Sequence, residues 1–192
     1  MTSKKIADLM VQSEIISVED KDLYEYGLHQ SFILLANIFT TILVGWIFNM
    51  MIESIIFLLA FVPLRSYAGG YHAKTPLRCY VLSVVMISIT LLLIRMPVRG
   101  LLSVVFITTT ATGTILVFAP VEDINKPLKQ TEKKEYKRRI SFILATLLGL
   151  ITLFWSIEHQ ISISIMSALV VGAVMVLLGK LTSISRQWDR QI

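Results

Sequence analysis

Long apolar runs separated by short charged blocks are the feature that most constrains this chain. Six runs are present, and all but one have about 16–20 residues, enough helix to cross a hydrocarbon core of roughly 30 Å. With 55% hydrophobic and only 16% charged residues, the chain exceeds what a single soluble core needs. We therefore predict an all-α polytopic membrane protein with six transmembrane helices in one domain, residues 1–192. The predicted spans are Ser31–Asn49, Met51–Leu64, Cys79–Met96, Gly100–Ala119, Ile140–Ile157 and Ile161–Leu181.

The second run, Met51–Leu64, is the short one. About 14 residues at about 1.5 Å each give only about 21 Å of helix. This span therefore either includes flanking residues or ends inside the membrane.

The segment before the first span, residues 1–27, has mixed composition. Ile6, Leu9 and Met10 are spaced to form an apolar stripe, and the run Ser17–Asp20 is typical of a helix start with acidic residues near its positive end. No removable signal peptide is evident. We predict an interfacial helix at the N-terminus, with a solvated tail as the alternative.

The distribution of lysine and arginine predicts the orientation of the spans. With the N-terminus in the cytoplasm, sixteen of the 18 basic residues fall on the inside and only Arg95 and Arg99 on the outside. Both termini should therefore be cytoplasmic. Topology and attraction to anionic membrane lipid explain the net charge of +5, which gives no indication of nucleic-acid binding.

The turn between the second and third spans, residues 65–78, leads directly into the only cysteine of the chain, Cys79. A single cysteine in an apolar helix is commonly a small packing residue. Here, however, Thr75 and Pro76 are a typical helix start, which places Cys79 in the first helical turn. The helix dipole and the nearby Lys74 and Arg78 favour a negatively charged sulfur at that position.

The same turn contains other groups that cysteine chemistry requires. His72 lies seven residues before Cys79 and can act first as a base toward the thiol and then as an acid toward a leaving amine. Gly69 and Gly70 permit close approach of the backbone and can direct amide N–H groups at an oxyanion. The pattern indicates acyl transfer by a cysteine.

The whole stretch from Arg65 to Ala73, followed by Cys79, resembles the signature of the accessory gene regulator protein B (AgrB) family. Members are membrane peptidases that process quorum-sensing pheromone precursors in Gram-positive bacteria. The resemblance covers roughly Glu25 to Leu181 and includes chain length, six spans and the segment Ala119–Leu128. It implies that Cys79 is the nucleophile and His72 its base.

The resemblance also implies a reaction and its setting. Members cleave the C-terminal part of an AgrD-type precursor peptide and keep the rest as an acyl-enzyme thioester, which leads to a cyclic thiolactone. A bacterial cell membrane, an active site at the cytoplasmic face and a homodimer are implied as well. Neither a cofactor nor a metal is expected.

The resemblance further assigns roles outside the catalytic pair. Arg65 and Gly70 match positions that the family uses for activity, and Arg65 is interpreted as a carboxylate-binding or turn-organising residue, or as one that snorkels at the end of its span. The basic segment within residues 120–139 matches the charged loop of the family. It is either a solvated surface that fixes topology or a grip for an acidic peptide tail, through Lys126, Lys129, Lys133 and Lys134.

Other functions can be weighed against the sequence. Three widely separated histidines and one cysteine make a metal site a poor interpretation, and the motif of a serine protease, Gly-x-Ser-x-Gly, is absent. The principal alternative is a small membrane transporter, channel or peptide exporter without peptidase chemistry. Against it, no predicted span carries an ionisable group near its middle. A scaffold that only binds a partner membrane protein also remains open.

Overall fold

The structure is a computed structural model that describes residues 2–71, 76–95, 100–121 and 130–188. Within these ranges the chain forms seven α-helices, and six of them, α2 to α7, are long and apolar enough to cross a membrane. The predicted all-α fold with six spans is confirmed. The helices are α1 (Thr2–Gln12), α2 (Lys21–Ile47), α3 (Met51–Ala68), α4 (Pro76–Ile94), α5 (Leu101–Phe118), α6 (Gln130–Trp155) and α7 (His159–Trp188).

Several helices extend beyond the predicted spans. The short second run includes flanking residues, because α3 continues to Ala68 and its 18 residues give about 27 Å of helix. The helix α6 begins at Gln130, well before the predicted Ile140, so residues 130–139 of the basic segment are helical. Hydropathy marks where a helix enters the hydrocarbon and not where the helix begins, since charged residues in water also form helices.

The last helix, α7, is the centre of the bundle. In the most apolar 18-residue stretch of α7, 67% of the residues are buried. In the corresponding stretches of the other five spans the value is 12–28%, and most side chains there lie on the outer surface. It packs against α3, α4, α5 and α6. Small residues permit this packing: a methyl group added at Gly172 would lie 2.8 Å from Leu64 Cδ2. The fold therefore places one buried helix, α7, against four others that present apolar surface on their outer sides.

The N-terminal segment forms the predicted helix, α1, which packs against α2. Lys21 Nζ lies 2.5 Å from Asp8 Oδ1 and joins the two helices. Ser17 Oγ donates a hydrogen bond of 2.8 Å to Asp20 Oδ2, and α2 begins at the next residue, as the sequence pattern indicates. The interfacial position of α1 stays a prediction.

Candidate active site

Cys79 lies in the first turn of α4, which begins at Pro76 as predicted. The cysteine is a partly buried free thiol, and its carbonyl oxygen accepts a hydrogen bond of 3.0 Å from Ser83 Oγ. This position exposes the side chain to the amide-rich start of the helix, where negative charge is favoured. Cys79 therefore lies at the N-terminal end of α4.

The turn after α3 has a backbone that only glycine adopts easily. Gly69 has φ of +69° and Gly70 has φ of +132°. A side chain at Gly70 would also collide with the guanidinium of Arg65 and lie 2.8 Å from the carbonyl oxygen of Met175. Both glycines are therefore required to shape the turn, in addition to any part they take in chemistry.

Arg65 holds this turn from the last part of α3. Its Nη1 donates to the carbonyl oxygen of Gly69, and its Nη2 donates to the carbonyl oxygen of Tyr71 at 2.7 Å. The planar guanidinium thus joins the two carbonyls on either side of Gly70. Of the interpretations that the sequence offered for Arg65, the turn-organising one matches these contacts.

The central helix supports the other side of the turn. Tyr71 N–H donates a hydrogen bond of 2.9 Å to the carbonyl oxygen of Met175 in α7. Gly179 permits this approach, since a methyl group there would lie 2.6 Å from the Gly70 carbonyl carbon and 2.7 Å from Tyr71 N. The turn therefore rests directly on the backbone of the most buried helix.

The residue Val121, after α5, completes the support. Its N–H donates a hydrogen bond of 2.9 Å to the carbonyl oxygen of Ala68, and it forms an isolated parallel bridge with Gly69. Sequence analysis missed Val121, Met175 and Gly179, because no local pattern connects them to the turn. Gly172 and Gly179 do lie seven residues apart on one face of α7, a spacing that could have indicated a close helix contact.

The turn leaves one backbone donor unused. Gly69 N–H donates to the carbonyl oxygen of Arg65 at 3.2 Å, and Tyr71 N–H is occupied by Met175. Within the described part of the chain, the N–H group of Gly70 makes no hydrogen bond. Gly70 is therefore the residue of the turn whose amide donor the described residues do not use.

A cavity of about 170 Å³ lies between α2, α3, α4 and α7, and Cys79 is part of its wall. Most of the lining is aliphatic or aromatic. The cavity places the thiol beside space that is large enough for a side chain and poor in water-binding groups. The polar side chains in the wall, besides Cys79, belong to Asn37, Thr41, Arg65, Tyr71 and Ser83.

Comparison with known proteins supports one family. The profile of the family Accessory gene regulator B matches residues 3–179, nearly the whole chain. The chain belongs to the AgrB family.

Individual relatives agree with this assignment. AgrB-like protein 2 of Clostridium perfringens strain 13 is 28% identical over 179 residues, which is 85% of this chain and 84% of that protein. Accessory gene regulator protein B of Staphylococcus aureus strain MW2 is 31% identical over 112 residues, 58% of this chain and 59% of that protein. No solved structure matches the chain. Membership places this AgrB-family protein in the accessory gene regulator system.

His72 lies outside the described residues, as do Lys74 and Thr75, so the structure describes no contact between His72 and Cys79. The residue before it, Tyr71, is fixed by Arg65 and by Met175. The structure thus defines where the chain leaves the turn toward His72.

The basic segment is only partly described. Lys126 and Lys129 fall outside the described residues, whereas Lys133 and Lys134 lie near the start of α6. Arg139, further along α6, donates from Nη1 to the hydroxyl of Tyr67 at 2.8 Å, and Tyr67 precedes the turn by two residues. The part of α6 around Arg139 is therefore close to the end of α3 that leads into the turn.

Proposed function

We propose that this AgrB-family protein is a membrane cysteine endopeptidase that removes the C-terminal part of an AgrD-type precursor peptide. Cys79 is the nucleophile, and His72 is the general base and acid. The observation that carries the proposal is the position of Cys79. The only cysteine of the chain occupies the first turn of α4 and lines a cavity together with Arg65, the residue that holds the turn leading to His72.

The first step forms an acyl-enzyme. The sulfur of Cys79 attacks the carbonyl carbon of the scissile peptide bond, while the thiol proton passes to His72. The tetrahedral oxyanion accepts a hydrogen bond from the available amide of Gly70. When the C–N bond breaks, the proton moves from His72 to the leaving amine, and a thioester with Cys79 remains.

The second step decides the product. A cysteine thiol of the bound peptide attacks the thioester carbonyl, so that a new carbon–sulfur bond forms, the bond to Cys79 breaks, and the proton returns to the Cys79 sulfur through His72. One thioester replaces another, and the exchange needs no external energy source. Hydrolysis competes and is strongly downhill, so an apolar cavity that limits water at the thioester favours the cyclic thiolactone.

The remaining expectations belong to this proposal. Lys133 and Lys134, with the basic residues before them, attract the acidic tail of the precursor to the start of α6. The inside excess of basic residues favours a cytoplasmic active site in a bacterial cell membrane, and the family resemblance favours a homodimer.

Co-expression with an AgrD-type precursor tests the proposal. Cys79→Ser and His72→Ala should each reduce cleavage at least about a hundredfold, because one removes the nucleophile and the other the proton carrier. His159→Ala is the matched control, since His159 begins α7 at the opposite end of the bundle and should leave cleavage unchanged. Cleavage by Cys79→Ser or His72→Ala at the wild-type rate would refute the mechanism. A transporter would instead move its solute in proteoliposomes with either substitution in place.

A further inference from the structure

The first ten residues of α6, residues 130–139, form a helical extension that lies outside the packed bundle. We call them the basic arm. None of these ten residues, all of which the structure describes, is buried, whereas Ile140 and Leu144 further along the same helix are. At about 1.5 Å per residue, the arm from Gln130 to Arg139 is about 14 Å long. The arm is therefore a short rod whose direction depends on how its base is attached.

Arg139 attaches the base of the arm to α3. Its Nη1 donates a hydrogen bond of 2.8 Å to the hydroxyl of Tyr67, and its guanidinium carbon lies 5.2 Å from the centre of the Tyr67 ring. Tyr136, one turn earlier in α6, meets the same ring edge-on, with 5.5 Å between the ring centroids. Tyr67 itself is partly buried and packs against the hydrophobic core. Three contacts on one well-packed tyrosine thus fix the arm.

Arg139 differs in its contacts from other cationic residues of the arm. Its Nε and Nη2 also donate to Glu135 Oε1, at 3.1 Å and 2.6 Å, so its charge is compensated within the protein. Lys134, Lys137 and Arg138 are exposed, and their spacing places them on one side of the helix. Arg139 therefore joins the arm to the bundle, while these three residues present positive charge to a partner.

The attachment point is adjacent to the turn that leads toward His72. Tyr67 precedes Gly69 by two residues. Arg65, in the same last part of α3, donates to the carbonyl oxygens of Gly69 and Tyr71. The arm and the turn are thus held by neighbouring residues of one helix end, which fixes the separation between them.

We infer that Arg139 is a positioning residue that acts through Tyr67: it holds the basic arm at a fixed distance from the catalytic turn, so that the protein selects peptides by the spacing between the cleaved bond and an acidic tail. The inference rests on the proposed function, in which this part of the chain attracts that tail. An extended peptide advances about 3.3 Å per residue, so the arm is as long as about four residues. The substrate class is a peptide whose acidic residues begin at a set number of residues after the cleaved bond.

Uncleavable analogues of the AgrD-type precursor test the inference. In each, a CH₂–NH group replaces the scissile carbonyl–NH group, and zero, two or four prolines are inserted just before the acidic tail. A bound analogue protects Cys79 from iodoacetamide, and mass spectrometry counts the unmodified protein. Four prolines carry the tail about 12 Å further, nearly the length of the arm. The analogue without prolines should therefore protect at a concentration about tenfold lower than the analogue with four, because only its two ends can be bound together.

Two adjacent arginines supply matched variants, since Arg138→Gln and Arg139→Gln remove the same charge. Arg139→Gln should lower the ratio between these two protecting concentrations from about tenfold to about twofold, because an unattached arm can follow the displaced tail. Arg138→Gln should weaken protection by every analogue alike and keep the ratio. Equal protection by all analogues in the wild type, or the same loss of the ratio in both variants, would overturn the inference.

A distance measurement tests the attachment by itself. In a Cys79→Ser background, spin labels at Ser66→Cys and Gln130→Cys, both exposed positions, report the separation between the end of α3 and the tip of the arm by pulsed electron paramagnetic resonance. With Arg139 present the distance distribution should be narrow. Arg139→Gln should broaden it about twofold, and Arg138→Gln should leave it unchanged. A distribution that is equally broad with and without Arg139 would refute the anchoring role.

These results are distinguishable from failure of the proposed function. Neither protection of Cys79 nor the spin-label distance requires that the protein cleave a peptide. Spacing-dependent protection without cleavage of the precursor would leave the positioning role of Arg139 intact and remove the peptidase. Cleavage of the precursor with equal protection by all analogues would retain the peptidase and remove the positioning role.

Discussion

The two walls around Cys79 differ in how completely their polar groups are satisfied. On the α7 side, the turn from Gly69 to Tyr71 has two carbonyls bound by Arg65 and one amide bound by Met175. On the α2 side, the wall borders a cavity of about 170 Å³, and Asn37 Oδ1 has no hydrogen-bond partner within the described ranges. The α7 wall therefore positions the residues of the turn, whereas the α2 wall borders space that a ligand can enter.

The two walls should respond differently to substitution. At Gly179, the backbone of α7 packs directly against the backbone of the turn. A group added there must displace either the helix or the turn. The α2 wall borders space, so an added or removed group there changes what can bind more than it changes folding. Stability should therefore depend on the first wall and selectivity on the second.

The largest effect on folding is expected from Gly179→Ala. The new methyl group would lie 2.6 Å from the Gly70 carbonyl carbon, which forces the turn away from α7. We expect a loss of about 1–3 kcal/mol in the free energy of unfolding, measured as a lower thermal midpoint in detergent, together with loss of peptide cleavage. Gly149→Ala is the control, because the added methyl group meets no atom within 4 Å and should stabilise α6 slightly. Equal midpoints for the two variants would contradict a tight α7 wall.

A smaller effect on stability and a distinct effect on catalysis are expected from Arg65→Gln. The glutamine cannot join both carbonyls that flank Gly70, so the segment leading to His72 loses its position while the helices stay packed. Displacement of about 1 Å costs up to about a hundredfold in rate, and we expect a loss of that order in the rate of precursor cleavage at saturating peptide.

Arg95→Gln is the control for Arg65→Gln, since Arg95 lies just after the end of α4 and away from the turn. Its cleavage rate and thermal midpoint should equal those of the wild type. If Arg65→Gln instead lowers the midpoint as far as Gly179→Ala does, Arg65 is a folding residue and its positioning role is wrong.

The architecture was predictable from sequence because a bilayer permits few kinds of backbone structure to cross it. Each long apolar run must be a helix in a membrane, and all six were recognised. The helix ends were not predictable: α6 continues outward to Gln130 through residues such as Glu135 and Arg139, which form an ion pair of 2.6 Å. A charged helix in water has no hydropathy signal that distinguishes it from a loop.

The candidate site also has features that were predictable from sequence and features that were not. The helix start at Pro76 and the position of Cys79 were predictable, because capping patterns act within a few residues. The contacts of Gly179 and Val121 with the turn were not, since they arise from packing between helices far apart in sequence. The cavity beside Cys79 was likewise not predictable, because it arises from the packing of four helices that are far apart in sequence.

The smallest effect is expected at the hydrogen bond that joins α2 to α4. Tyr80→Phe removes the hydrogen bond to Thr40, one of the contacts between α2 and α4, and should lower the free energy of unfolding by about 0.5–1.5 kcal/mol. Thr40→Val should cost more, because it also removes the hydrogen bond of 2.8 Å that Thr40 Oγ1 donates to the carbonyl oxygen of Ala36, and the double variant should cost little more than Thr40→Val alone. Tyr24→Phe is the control, because the Tyr24 hydroxyl makes no hydrogen bond among the described residues. Independent, additive losses would mean that the two hydroxyls do not bind each other, and α2 and α4 would then be joined by apolar packing without this bond.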